Sequence, residues 1–218
     1  MPLVELEQVT RNVPKGVQEL LEQRFSPYAF SSRPVEPEKL RKLFEAARSA
    51  PSSYNEQPWR FVVARREDSA AFERLLETLV APNRQWARQA PVLVLSVAKV
   101  NFTHSGHPNR HALYDVGQAT AYLTFQATEL GLYLHQMAGF DAANARQLLD
   151  IPEGYEPTAM MALGHLGDPE SIGEGLRQQD RARRPRKPLD SLIFDGTWGK
   201  AWPSASDGGS THSTQSTN

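Results

Sequence analysis

The chain has 218 residues, 39% of them hydrophobic, with 24 Lys and Arg against 25 Asp and Glu. That balance leaves no global field to gather nucleic acid or anionic lipid, so any anion site must be local. The lack of cysteine excludes disulfides, thiolate metal sites and cysteine nucleophiles, and suits a reducing, cytoplasmic compartment. No stretch approaches the roughly 20 apolar residues that span a bilayer as a helix, and no basic region precedes an apolar run at the N-terminus.

In chain order, apolar residues at helical spacing predict amphipathic helices over residues 13–24 and 36–50. The second carries Leu40, Leu43, Phe44, Ala47 and Ala50 on one face, with Pro37 suited to its first turn. The apolar run "WRFVVA" (59–64) predicts a strand, residues 69–80 a helix, and the β-branched run "PVLVLSVA" (91–98) a strand beside the first. Residues 111–131, "HALYDVGQATAYLTFQATELG", are apolar or small on nearly every face, which predicts a central helix buried on most sides. A strand over 132–137, a helix over 142–150 and a strand over 157–166 follow. After residue 202 the tail lacks core-forming residues, so the expected organisation is one domain over 1–202 and a disordered tail over 203–218.

Several chemistries have no support. The phosphate loops G-x-G-x-x-G and G-x-x-x-x-G-K-[ST] and the nucleophile elbow G-x-S-x-G do not occur. His104, His107, His111 and Asp115 have metal-ligand spacing, but two of them sit in a Ser/Gly/Pro/Asn loop and no second cluster supports them, so no metal is expected. "RARRPRK" (181–187) holds five basic residues in seven, yet it lacks stacking aromatics and the chain has no basic excess elsewhere, so nucleic acid is not expected as a partner.

Five segments remain: "RFSPYAF" (24–30), "APSSYNEQPW" (50–59), "LGLYLHQMAGFD" (130–141), "ALGHLGD" (162–168) and "RRPRKPLDSL" (183–192). In this order and spacing the chain from about residue 18 to 200 resembles the FMN-dependent nitroreductase family, and P-S-S-x-N-x-Q-P-W before an apolar strand is the most specific part. The resemblance implies an α+β sandwich, a mixed and mainly antiparallel sheet flanked by helices, in an intertwined homodimer with FMN at the subunit interface. The segment after Pro188 would reach across to the partner's sheet.

The chemistry of FMN then matches residue types to parts of the ligand. Arg24 with Phe25 and Ser26, and Arg184 with Arg186, supply guanidinium forks and a hydroxyl for the phosphate. Pro51, Ser52, Ser53, Asn55 and Gln57 form a stiffened loop of short donors and amides for the ribityl chain and ring edge. Gln136, Met137, Ala138 and Gly139 would line the ring near N5 largely through backbone. Two positions depart from the usual family pattern: Tyr28 stands where a cation is common, and Ala138 where an acidic residue is. Trp59 is expected in the core and His135 as a packed or hydrogen-bonded histidine, with no side chain acting as catalyst. The activity implied is ping-pong hydride transfer from NADH or NADPH through the flavin to nitroaromatics, quinones or similar small electrophiles. Alternatives are a flavin-fragmenting or single-substrate relative and a non-catalytic flavin-binding redox sensor.

Overall fold

The computed structural model describes residues 16–182 and 185–203. Contacts divide the chain into two units, Met1–Ala182 and Arg183–Asn218. In the first, four strands form one antiparallel sheet: β1 (Trp59–Arg65), β2 (Val92–Lys99), β3 (Tyr133–Met137) and β4 (Tyr155–Gly164), in the order β1-β2-β4-β3. β1 pairs with β2 from Trp59↔Ala98 to Arg65↔Val92, as their neighbouring apolar runs predict. β2 is buried along nearly its whole length, which is why it reads as a continuous apolar run with no alternation.

Helices cover both faces of this sheet. On one, α2 (Pro37–Arg48) and α5 (Ala112–Glu129) cover Trp59, Val92, Val94, Leu134, Met161 and Leu163, with α1 (Val17–Gln23) against α5. The other face packs Ala64, Leu93, Leu95 and Met160 against α3 (Ser69–Thr78), α4 (Ala81–Ala87) and α6 (Ala142–Leu148). α2 buries Leu40, Leu43 and Ala47, the stripe its spacing predicts, and each fully buried leucine contributes roughly 1.5–3 kcal/mol. α3 and α6 start where Asp68 and Asp141 accept the backbone N–H of Ala71 and Asn144, ordinary N-caps. α7 (Glu174–Arg181) closes the unit.

α5 departs from the expectation of burial on most sides. Its buried residues, Ala112, Asp115, Val116, Ala119, Thr120, Leu123, Thr124, Ala127 and Thr128, form one stripe, while Leu113, Tyr114 and Tyr122 are exposed on the rest of its surface. Within the stripe, Thr120, Thr124 and Thr128 each donate to the carbonyl four residues earlier, so their hydroxyls are satisfied inside the helix.

In the second unit, the segment after Pro188, expected to reach a partner's sheet, begins with a 3-10 turn at Leu189–Ser191. A bridge from Phe194 to Ala201 follows, with Asp195 and Lys200 paired at 2.6 Å and Phe194 beside Trp198. Leu189, Leu192, Trp198 and Trp202 are all exposed. Arg184 lies outside the described residues.

Candidate functional site

Strand order sets the geometry of the site. Because β2 and β4 are antiparallel to their neighbours, β3 runs toward the end of the sheet where β1 begins, and stops at Met137, which is level through Met160 and Leu95 with Val62 in the middle of β1. β1 and β3 are opposite edges of the sheet, three strand spacings or roughly 14 Å apart. The loop holding Pro51, Ser52, Ser53, Asn55 and Gln57 leads into β1, whereas Gln136, Met137, Ala138 and Gly139 end or follow β3. The segment after α1 belongs with the second group: Phe25 meets Tyr133 edge-on at 5.0 Å, and the Pro27 carbonyl lies 2.8 Å from His135 Nδ1. One chain therefore assembles the residues of 24–28 beside those of 136–139, and carries 51–57 on the far edge.

That far loop is strained and tightly held. Tyr54, Asn55 and Gln57 have φ values of 54°, 54° and 50°, a left-handed conformation that costs roughly 1–2 kcal/mol for a residue with a Cβ. Asn tolerates it; Tyr and Gln have no such ease. Local bonds come from Ser52, whose carbonyl accepts Asn55 N–H at 3.0 Å and whose Oγ accepts Gln57 N–H at 3.0 Å. Two carboxylates complete the clamp, one from α5 and one from the loop itself. Asp115, only 2% exposed, accepts Ser53 N–H at 3.0 Å through Oδ2. Glu56, with a side chain 5% exposed, pairs with Lys99 Nζ at 3.1 Å, accepts Thr103 N–H at 2.9 and 3.0 Å, and bonds the Thr103 hydroxyl. Burial pushes the Glu56 pKa up, but the Thr103 and Lys99 hydrogen bonds and the Lys99 charge outweigh it and hold the carboxyl at about 2, below the ordinary 4.5. Tyr54 projects from this rigid frame, 83% exposed, with Phe102 and His104 each 5.6 Å from its ring.

The opposite rim is held without charge. The Gly139 carbonyl accepts Val80 N–H at 3.1 Å and Asn83 Nδ2 at 3.0 Å, both from the start of α4. A Cβ on Gly139 would lie 2.6 Å from Asn83 Nδ2 and 3.0 Å from Val80 Cγ2, so a side chain there would force Asn83 and Val80 to shift, and the constraint is packing and not a positive φ. Among the described residues, the Ala138 and Gly139 amides donate to no other backbone group. Below them, the Tyr28, Trp86 and His135 rings pack together, with centroids 4.6–5.1 Å apart. The Tyr28 hydroxyl donates to Gln179 Oε1 at 3.1 Å, and Asp180 accepts Tyr28 N–H at 3.0 Å, so α7 anchors this segment.

Trp59 is buried in the core and His135 is packed and hydrogen-bonded, as expected. His104 and His107 are exposed loop residues, and Asp115 faces the Ser53 amide. Ser26 is exposed at the surface, Arg24 caps α1, and Arg186 is exposed in the second unit. Sequence reasoning passed over Glu56, Asn83 and Asp180, and weighed Asp115 for its metal-ligand spacing. Each acts on backbone far away in sequence, and no local pattern marks such a bond.

The Nitroreductase family model matches residues 21–165. The chain belongs to the nitroreductase family. Among nitroreductase-family relatives and others, it is 34% identical over 146 residues to "Uncharacterized 15.4 kDa protein in ask 5'region" of Mycolicibacterium smegmatis, covering 64% of this chain and 97% of that protein. It is 28% identical over 155 residues to a putative NADH dehydrogenase/NAD(P)H nitroreductase of Archaeoglobus fulgidus, covering 69% and 86%. A crystal structure described as an oxidoreductase containing FMN matches at a TM-score of 0.80 and 33% identity over 87% of this chain and 96% of that one. A nitroreductase family protein from Clostridium difficile matches at 0.67 and 25% over 84% and 99%. The expected α+β nitroreductase fold is thereby established, and all four described strands pair antiparallel. No helix among the described residues is long and apolar enough to cross a membrane.

Proposed function

We propose that this protein is an FMN-dependent oxidoreductase that carries hydride from NADH or NADPH to nitroaromatic, quinone or similar electrophilic acceptors, as a homodimer with FMN at the subunit interface. The observation that carries this reading is the strained loop of hydroxyls and amides at 52–57, clamped by Asp115 and Glu56, together with the Ala138 and Gly139 amides after the opposite edge strand, which donate to no other backbone group among the described residues. Strain held in place by surrounding bonds is a feature of binding sites. The similar structure described as containing FMN supports the choice of ligand.

The donor set fits that ligand. Arg24, Ser26, Arg184 and Arg186 suit a dianionic phosphate, Ser52, Ser53, Asn55 and Gln57 the polyol and pyrimidine edge, and the Ala138 and Gly139 amides the ring acceptors. The two groups leave opposite edges of one sheet, which favours a site completed by the far loop of a second chain. Exposed Leu113, Tyr114 and Tyr122 on α5, and Leu189, Leu192, Trp198 and Trp202 in the C-terminal unit, offer the apolar surface such a partner would cover.

FMN, when bound, would supply the hydride-transfer chemistry. The chain binds and orients: the clamped loop fixes one side, and the rim from Gln136 to Gly139, held by Asn83, sets how closely backbone approaches the ring. Such positioning can remove several kcal/mol from a barrier without a general base. Nicotinamide and acceptor then occupy one space in turn, so kinetics are ping-pong. The test is anaerobic reduction of the purified protein by NADH and NADPH, followed by reoxidation with a panel of acceptors. A colourless protein that fails to take up added FMN would refute the reading. Fragmentation of the flavin in place of its regeneration would favour a flavin-destroying relative, and absence of reduction a sensor.

A further inference from the structure

Asp115 is a buried carboxylate with no ion-pair partner among the described residues. Its placement answers how it is tolerated: it lies in the first turn of α5, where the helix dipole favours an anion, and Gln118 Nε2 approaches Oδ1 at 3.5 Å. Its shortest described side-chain bond, at 3.0 Å, goes to the amide of Ser53, 62 residues away and immediately before the left-handed pair Tyr54 and Asn55. A carboxylate that accepts a backbone N–H forms a charge-assisted bond. Here that bond is the described side-chain link between α5 and residues 51–55.

We propose that Asp115 is the positioning residue of the flavin loop, and that it ties the loop's conformation to the placement of α5. The proposal rests on the FMN reading and adds to it a residue that touches neither cofactor nor substrate. One face of α5 packs on the sheet and the rest exposes Leu113, Tyr114 and Tyr122. A partner seated there would fix the helix and, through Asp115, the Ser53 amide. Loop order and assembly are coupled by this single bond. Nothing in the loop's own sequence supplies it, because Ser52 ties down only Asn55 and Gln57.

The experiment compares wild type, Asp115→Ala and Asp115→Asn for flavin affinity, flavin absorption spectrum and dimer dissociation. The Asn variant keeps an acceptor oxygen for Ser53 N–H and loses the charge. We expect Asp115→Ala to weaken FMN at least tenfold, equivalent to about 1.4 kcal/mol, with the same factor for riboflavin, since the loop holds the polyol and ring and not the phosphate. The bound flavin spectrum should shift, and Asp115→Asn should recover most of the affinity. A folded Asp115→Ala dimer with wild-type affinity and spectrum overturns the proposal, as does an Asn variant no better than Ala. If Asp115→Ala does not fold, the Asn variant alone decides: a loss of tenfold or more in its flavin affinity overturns the proposal, and near wild-type affinity with an unchanged spectrum supports it. Failure of wild type to bind FMN at all would refute the FMN reading itself, a distinguishable result.

Discussion

The two rims of the candidate site are fixed by different means. Residues 52–57 hold three non-glycine residues at positive φ, stabilised by two acidic side chains that reach in from α5 and from the loop itself. Residues 138–139 adopt ordinary backbone and are fixed by neutral bonds from Val80 and Asn83 and by the absence of a side chain at Gly139. Through Glu56 the first rim depends on charge and so on pH; the second depends on space. Substitutions should therefore damage the two rims through different readouts.

The largest effect is expected where space is the constraint. Gly139→Val places carbon where Asn83 and Val80 already sit, and overpacking of this kind costs about 1–3 kcal/mol. The rim would move by a fraction of an ångström or more, and a misplacement near 1 Å can cost about a hundredfold in rate. Stopped-flow reduction of the bound flavin by NADH should slow by on the order of that factor. Adding Asn83→Ser to the milder Gly139→Ala should restore much of what Gly139→Ala loses, since the nearest clash is with Asn83 Nδ2. Failure of the second change to help would locate the damage elsewhere.

Charge controls the other rim, and the sign can be worked out. The Glu56 pKa is about 2 in the fold against an ordinary 4.5, a depressed carboxylate. Its contribution to stability is present above pH 4.5 and is lost as pH falls from there toward 2. Glu56→Gln should flatten the stability curve in that window and loosen flavin binding severalfold at neutral pH, because the amide cannot pair with Lys99. Glu36, also near 2 through its own backbone N–H and Lys39, titrates over the same range but stands half exposed, so screening reduces its share. His165 is lowered from 6.5 by burial first and by Arg33 and Lys39 next, so its protonation is disfavoured by the fold and stability declines as pH falls below 6.5. A wild-type curve without any decline between pH 6.5 and 2 would contradict all three assignments.

Legibility in the sequence follows the same division. Strands β1 to β4 were readable as short apolar runs, and helices α2 and α3 because helical spacing agrees with the face they bury. α4, "APNRQWA", is too short to show a period, although Pro82 in its first turn is a start signal; α7, "EGLRQQDR", has one apolar residue and an internal glycine. α5 misled in an instructive way. Its apolar surface is real on every side, but one chain covers only one stripe, and sequence does not say whether the remainder faces the same chain or another. At the site, the hydroxyls and amides of 52–57 were visible as a motif. The left-handed backbone at Tyr54 and Gln57 was not, since neither residue favours it, and the carboxylates that enforce it lie up to 62 residues away.

The smallest effect on chemistry is expected at the most suggestive side chain. His135 sits on β3 one residue before Gln136, in the position of a tempting proton donor, yet its ring packs against both Tyr28 and Trp86 at 4.6 Å from each and its Nδ1 meets the Pro27 carbonyl. These contacts describe a support for the 24–28 segment. His135→Ala removes an aromatic contact on each side, worth roughly 0.5–1.5 kcal/mol apiece, so thermal stability should drop by several degrees. Flavin reduction in the folded, FMN-saturated variant should change by no more than a few fold, because hydride transfer between stacked rings needs alignment and no side-chain acid. A loss near a thousandfold with FMN fully bound, equivalent to about 4 kcal/mol of barrier, would instead make His135 a participant. The distinction between a rim that positions and a residue that reacts would then have to be redrawn around β3.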